Sequence, residues 1–119
     1  MMSKIKIKVT LKTNEEETEE IYQAIKTEQK MCYHDSKYRV TIFFNEPRLI
    51  RENDEYIMEM KFKQKEKTIA NCYIKQMKQN IKLDMITKQL TIDENLIVIE
   101  YDVLSTEQTV LFKLEVLHD

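Results

Sequence analysis

Apolar and polar residues alternate with a period of two along almost the whole chain. In residues 4–12, Ile5, Ile7, Val9 and Leu11 share one face, while Lys4, Lys6, Lys8, Thr10 and Lys12 share the other. Successive side chains of a strand point to opposite faces, so this spacing predicts a strand with one wet side. The same rhythm recurs at 37–44 (Tyr38, Val40, Ile42, Phe44) and 55–63 (Tyr56, Met58, Met60, Phe62). It returns at 96–103 (Ile97, Ile99, Tyr101, Val103) and 109–117 (Val110, Phe112, Leu114, Val116). β-Branched and aromatic residues fill the apolar positions, which suits strands. Residues 67–77, 80–86 and 88–92 extend the series, with Ile81, Leu83 and Met85 on one face and Leu90 and Ile92 beyond them. Residues 18–30 are ambiguous: Ile21 and Ile25 have helical spacing, yet a strand from Glu19 to Lys30 completes a hairpin with the first strand, and the strand is preferred.

Turn-prone residues punctuate the pattern at Asn14–Glu17, His34–Ser36, Glu52–Asp54, Gln64–Glu66, Asp93–Asn95 and Ser105–Glu107. Connections this short force antiparallel pairing, because a parallel crossover needs a dozen or more residues. The expected fold is all-β: one domain over residues 1–119, built as a small closed antiparallel up-and-down barrel of about eight to ten strands. Closure is favoured over a sandwich because it removes both exposed sheet edges.

Composition narrows the function classes. The 19 basic and 21 acidic residues leave a net charge of −2, which gives no electrostatic footprint for nucleic acid or an anionic membrane. Glycine is absent and Pro47 is the only proline, so glycine-rich phosphate loops and the dinucleotide fingerprint are excluded. Tight turns are therefore expected to use Asn and Asp. The start of the chain lacks a leader-like or membrane-spanning apolar run, and Cys32 and Cys72 lie far apart, so a cytoplasmic location with reduced, part-buried thiols is expected.

Several segments resemble the YwiB-like bacterial proteins of unknown function, which are grouped with the calycin, or lipocalin-like, barrels. The resemblance is carried by Ile5–Lys12, the acidic hairpin before Ile21, the stretch from Phe44-Asn45-Glu46 to Ile50-Arg51, and Met58–Phe62. Ile81-Lys82-Leu83-Asp84 through Leu90, and Asp93-Glu94-Asn95 through Val103, complete it. That group places a glycine after the arginine matched by Arg51; here Asn53 and other residues take such places. The resemblance implies a barrel with an interior and supplies no reaction.

Candidate chemistry is sparse. Cys32, His34 and Asp35 lie close in sequence, but zinc needs three or four convergent ligands and the remaining histidine is His118. Glu100 and Asp102 share a strand face that should be solvated, whereas an acid/base pair needs two different environments. The stripe Lys4, Lys6, Lys8 and Lys12, with Tyr33 and Tyr38 as stacking aromatics, fits single-stranded RNA, but the glutamates at 15, 16, 17, 19 and 20 should neutralise it. No catalytic residue, cofactor or metal is expected, and the chain is read as a non-enzyme.

The leading expectation is a barrel that binds a small, partly apolar molecule. Its interior and mouth would be formed by Phe44, Glu46, Arg51, Tyr56, Met58, Met60, Phe62, Tyr101 and Phe112, with Glu46 and Arg51 as an ion pair at the mouth. Methionine and aromatic side chains suit such a lining, although they also suit a filled core, which the short chain favours. The alternative is a structural or interaction module, dimerising through strand edges or through Leu111 and Leu117 on the outer face of the last strand.

Overall fold

The computed structural model describes residues 2–118. Ten strands follow one another: β1 (Ser3–Lys12), β2 (Glu17–Lys26), β3 (Lys30–His34), β4 (Arg39–Phe43), β5 (Arg48–Glu52), β6 (Tyr56–Lys61), β7 (Lys67–Ile74), β8 (Gln79–Ile92), β9 (Leu96–Val103) and β10 (Gln108–Leu117). Each pairs antiparallel with its sequence neighbours, and β1 pairs with β10 to close the barrel. The expected all-β, closed up-and-down barrel is the observed fold. Among the described residues, no helix is long and apolar enough to cross a membrane.

Register follows from burial. Ile7, Val9, Val40, Ile42, Leu49, Met60, Ile97, Ile99, Val110, Phe112 and Leu114 are all buried in one core. A one-residue slip would send each strand's apolar set to water, so the pairing is strongly specified. Lys8 on the outer face lies 3.7 Å from Glu19 and 3.8 Å from Glu115, which places acidic neighbours beside the basic stripe.

Three elements depart from expectation. The stretch 18–30 is strand, as preferred, but it ends at Lys26, and Lys30–His34 forms a separate strand. Arg48–Glu52 is also a strand, hidden in the sequence by an arginine at an inward position. Segments 80–86 and 88–92 form the single strand β8, with a bulge between Thr87 and Gln89. The extra residue shifts the inward parity from Met85 and Thr87 to Leu90 and Ile92, which is what one unpaired residue in a ladder does. At that point Thr87 is fully buried, and its hydroxyl accepts a hydrogen bond from the Lys63 amide at 3.3 Å.

Nine connections are made without glycine, in two ways. In five of them a Thr, Asp or Asn starts the turn and its side-chain oxygen accepts backbone N–H groups two or three residues on: Thr13, Thr27, Asp35, Asn53 and Asp93. Such side chains imitate a backbone turn. The other four place a charged residue in the left-handed region: Glu46 (φ 47°), Lys65 (φ 59°), Lys78 (φ 50°) and Glu107 (φ 53°). The expectation that Asn and Asp would take positive φ is thus corrected. Hairpin loops of three to five residues are commonly built on a type I turn with a left-handed residue beside it, and this chain uses Glu and Lys at its left-handed positions.

Candidate functional site

The turns 13–16, 35–38, 53–55, 75–78 and 104–107 gather at one end of the barrel, because successive strands run in opposite directions. Several contacts tie this end together. The Asn14 side chain accepts the Thr109 amide at 2.9 Å and donates to the Glu107 carbonyl at 3.3 Å, bridging the seam between the first and last hairpins. Lys75 donates to Glu52 at 3.0 Å, and the Lys75 amide donates to the Glu55 carbonyl, pinning the β7–β8 turn to the β5–β6 turn.

Within this end lies a cavity of about 370 Å³, lined by side chains that include Val9, Glu20, Tyr22, Tyr33, Arg51 and Phe112. Its polar members occupy inward positions where the strand pattern calls for apolar residues. On β2, Glu20 pairs with the inward-facing Val9 and Tyr22 with Ile7, so Glu20, Tyr22 and the buried Ala24 share the inner face. Ile21 and Ile25, the apolar pair of this strand, point to solvent and are 60% and 43% exposed. On β5, Leu49 and Arg51 face inward, whereas Ile50 faces out. The segment of barrel wall that forms the cavity is patterned inside out.

Tyr22, Tyr33 and Tyr38 line this space, and Tyr56 adjoins it through Tyr38. The Tyr22 and Tyr33 rings stack with centroids 5.3 Å apart. The Tyr38 and Tyr56 hydroxyls share a 2.6 Å hydrogen bond, and their rings lie 5.8 Å apart. Tyr101 is buried in the core, where its ring packs against Phe62 with centroids 5.4 Å apart. The guanidinium of Arg51 lies 5.4 Å from the Tyr38 ring centroid, within cation–π range. Its Nε is shut off from water and has no hydrogen-bond partner, and among the described residues no carboxylate lies within salt-bridge distance of it.

Electrostatics agree with this placement. Burial pushes the Tyr33 and Tyr101 phenols above their usual range, while the positive charge of Arg51 opposes the shift at both. Tyr56 is pushed up to about 12, first by burial and then by its bond to Tyr38, again against Arg51. The Tyr22 phenol is raised by burial, then by its hydrogen bond to Glu20. The Cys72 thiol on β7, paired across from Met58, is raised by burial and so held in its protonated form. The site therefore combines phenols, one guanidinium, and a rim that carries the carboxylates of Glu16, Glu20 and Asp35 together with the ammonium of Lys37.

The residues expected to form the interior and mouth divide between the two ends. Arg51 and Phe112 line the cavity at the tyrosine end, Tyr56 and Met58 adjoin it through Tyr38 and Arg51, and Met60, Phe62 and Tyr101 are buried in the packed core. Phe44 lies at the opposite end, where the Lys26 ammonium sits 5.9 Å from its ring beside a more open hollow of about 590 Å³. Lys26 crosses that hollow and donates to the Glu94 carbonyl at 3.1 Å, so its cation is already engaged. Glu46 is exposed in the turn 44–47. No ion pair joins it to Arg51, because the two lie at opposite ends of β5 and Arg51 points inward.

Other expectations are corrected. Tyr33 is only 4% exposed inside the barrel and Tyr38 stands at its mouth, so neither can stack beside the lysine stripe on the outer wall. Cys32 and His34 alternate with the inward Met31 and Tyr33 and face outward, and the Asp35 carboxylate caps its own turn. Among the described residues, no three His, Cys, Asp or Glu side chains converge. Glu100 and Asp102 lie on the outer wall but are half-buried; Asp102 accepts from Thr109 at 2.7 Å and lies 3.3 Å from Lys88. Both thiols are free and half-buried. Leu111 and Leu117 do lie on the outer wall, half-buried. Sequence reasoning missed Glu20, Tyr22 and Tyr33 as lining residues. The available signal was parity: they share the inner face with Ala24 and Met31, while the two isoleucines fall on the other.

Comparison with known proteins supports the architecture. No protein-family model and no curated protein matches the chain. Among solved structures, the crystal structure of the ywiB protein from Bacillus subtilis superimposes with a TM-score of 0.64, covering 98% of this chain and 94% of that one at 16% identity. The chain therefore has the YwiB barrel fold, a structural relationship that carries no activity with it.

Proposed function

We propose that this barrel is a non-enzymatic binder of a small, partly apolar ligand, held in the cavity at its tyrosine end. The observation that carries this reading is the inside-out wall: Glu20 and Arg51 face inward while Ile21, Ile25 and Ile50 face out. Breaking the local rule costs stability, and such breaks concentrate where a protein needs a site. The cavity falls at the small end of the range for ligand pockets. Phenols pushed above their usual range and a protonated Cys72 thiol are poor nucleophiles and bases at neutral pH, which supports binding over catalysis.

Native mass spectrometry of protein purified from cells tests the reading. An adduct of a few hundred daltons, lost on denaturation, is the expected result. A uniformly bare mass, together with no binding of small aromatic probes, would overturn it. The alternative, an interaction module, loses its strand-edge route because β1 and β10 close the barrel, which leaves the outer-wall Leu111 and Leu117 as its remaining contact.

A further inference from the structure

Resting on the small-ligand reading above, we propose that the ligand is anchored by a single planar carboxylate received by Arg51. Its attached ring lies against the tyrosines, and a hydrogen-bond donor rather than a second anion faces Glu16 and Glu20.

A guanidinium carries five N–H donors in a flat fork that matches a carboxylate, and it stays charged at any ordinary pH. Among the described residues Arg51 makes no hydrogen bond and no ion pair, and its Nε is buried without an acceptor. The other two arginines behave differently: Arg39 reaches Glu52 at 3.2 Å and Arg48 reaches Glu59 at 2.9 Å, both on the outer wall. Acidic residues do line the same cavity, but Asp35 is spent on its turn and Glu20 on the Tyr22 hydroxyl. The fork is left open toward the cavity.

The surroundings define the rest of the ligand. One proton of the Tyr38–Tyr56 hydroxyl pair is consumed by their mutual bond, and the second is free to be donated to an acceptor beside Arg51. The Tyr22–Tyr33 stack offers flat aromatic surface, which favours another ring. The rim carries three carboxylates, Glu16, Glu20 and Asp35, against the single ammonium of Lys37, and this negative excess disfavours a doubly charged group, so a carboxylate fits better than a phosphate dianion. The same carboxylates also favour an amine or hydroxyl at the outer end of the ligand.

The test is calorimetric titration of the intact protein with para-hydroxyphenylacetate, its amide, phenyl phosphate and inorganic phosphate, with para-cresol as a neutral probe. The acid should bind at least about 10-fold tighter than the amide, the range expected for hydrogen bonds to a charged group. Phenyl phosphate and inorganic phosphate should bind more weakly than the acid. In Arg51→Met the preference for acid over amide should fall to within about twofold, with para-cresol binding retained; Arg51→Lys, which keeps the charge without the fork, should fall between. Equal binding of acid and amide, a preference that survives Arg51→Met, or tighter binding of phenyl phosphate would each overturn the carboxylate assignment. Para-cresol binding in those cases leaves the small-ligand reading standing. Failure of every probe, para-cresol included, overturns both.

Discussion

Replacing Arg51 with methionine should make the ligand-free protein more stable. Arg51 is an inward-facing residue whose Nε is buried without a partner, an arrangement that costs about 1–3 kcal/mol in desolvation. Against this stands the contact with the Tyr38 ring at 5.4 Å, worth about 0.5–1 kcal/mol. Methionine follows the arginine stem as far as the Nε position, adapts to irregular space and has no buried donor to satisfy. The difference favours Arg51→Met by about 1 kcal/mol. For 119 residues at about 2.1 cal/mol/K each, the unfolding entropy is roughly 250 cal/mol/K, so the midpoint should rise by about 4 °C. The assay is thermal unfolding by circular dichroism on ligand-stripped protein. Arg48→Met is the control, because it breaks a contact to Glu59 at 2.9 Å on the outer wall and should not stabilise. A fall in the Arg51→Met midpoint would refute the reasoning, since it would show the guanidinium to be satisfied in the empty barrel.

Three further outcomes follow from the fold. Thr87→Val removes the acceptor of the Lys63 amide at the β8 bulge, and should cost about 1–2 kcal/mol, read as a midpoint lower by about 4–8 °C. Lys78→Gly and Glu107→Gly relieve left-handed backbone, so each should be neutral or stabilising by up to about 1 kcal/mol in urea unfolding, whereas Lys113→Gly within β10 should destabilise by roughly that amount. Because Tyr33, Tyr56 and Tyr101 have folded pKa values above the ordinary value of 10, the unfolded chain loses its phenolic protons first. Stability should be complete below pH 10 and fall above it, by up to about 1.4 kcal/mol per pH unit for each fully buried tyrosine. Chemical unfolding across that window checks this, and a flat profile would contradict it.

Much of the barrel was legible because packing leaves a period-two imprint. The alternation of Ile5–Leu11 and of Val110–Val116 fixed both partners of the closing seam, and Tyr56–Phe62 fixed an inner face. The imprint failed where the wall is wet on the inside. A strand such as Arg48–Glu52 cannot be read by hydrophobicity when Arg51 points in and Ile50 points out. The same inversion made Ile21 and Ile25 look like one face of a helix. The turns were located more reliably than their chemistry was assigned. Asp35, Asn53 and Asp93 act through side-chain oxygens, as turn-formers do, but positive φ fell to Glu46, Lys65, Lys78 and Glu107, for which composition gives no signal. The candidate site was half-visible: Arg51 was singled out, but its partner was sought at Glu46, along the strand, when its neighbours Tyr38 and Met58 lie on or beside the adjoining strands.

For the tyrosine end of this barrel to bind a small ligand, its interior must be accessible to one. Methyl-detected NMR during titration with para-cresol tests it most directly. Saturable shifts of the Val9, Leu11 and Met58 methyls, with the Met31 and Ile92 methyls at the opposite end unmoved, are the predicted result. Shifts confined to Met31 and Ile92, or no saturable shift at either end, would contradict the account.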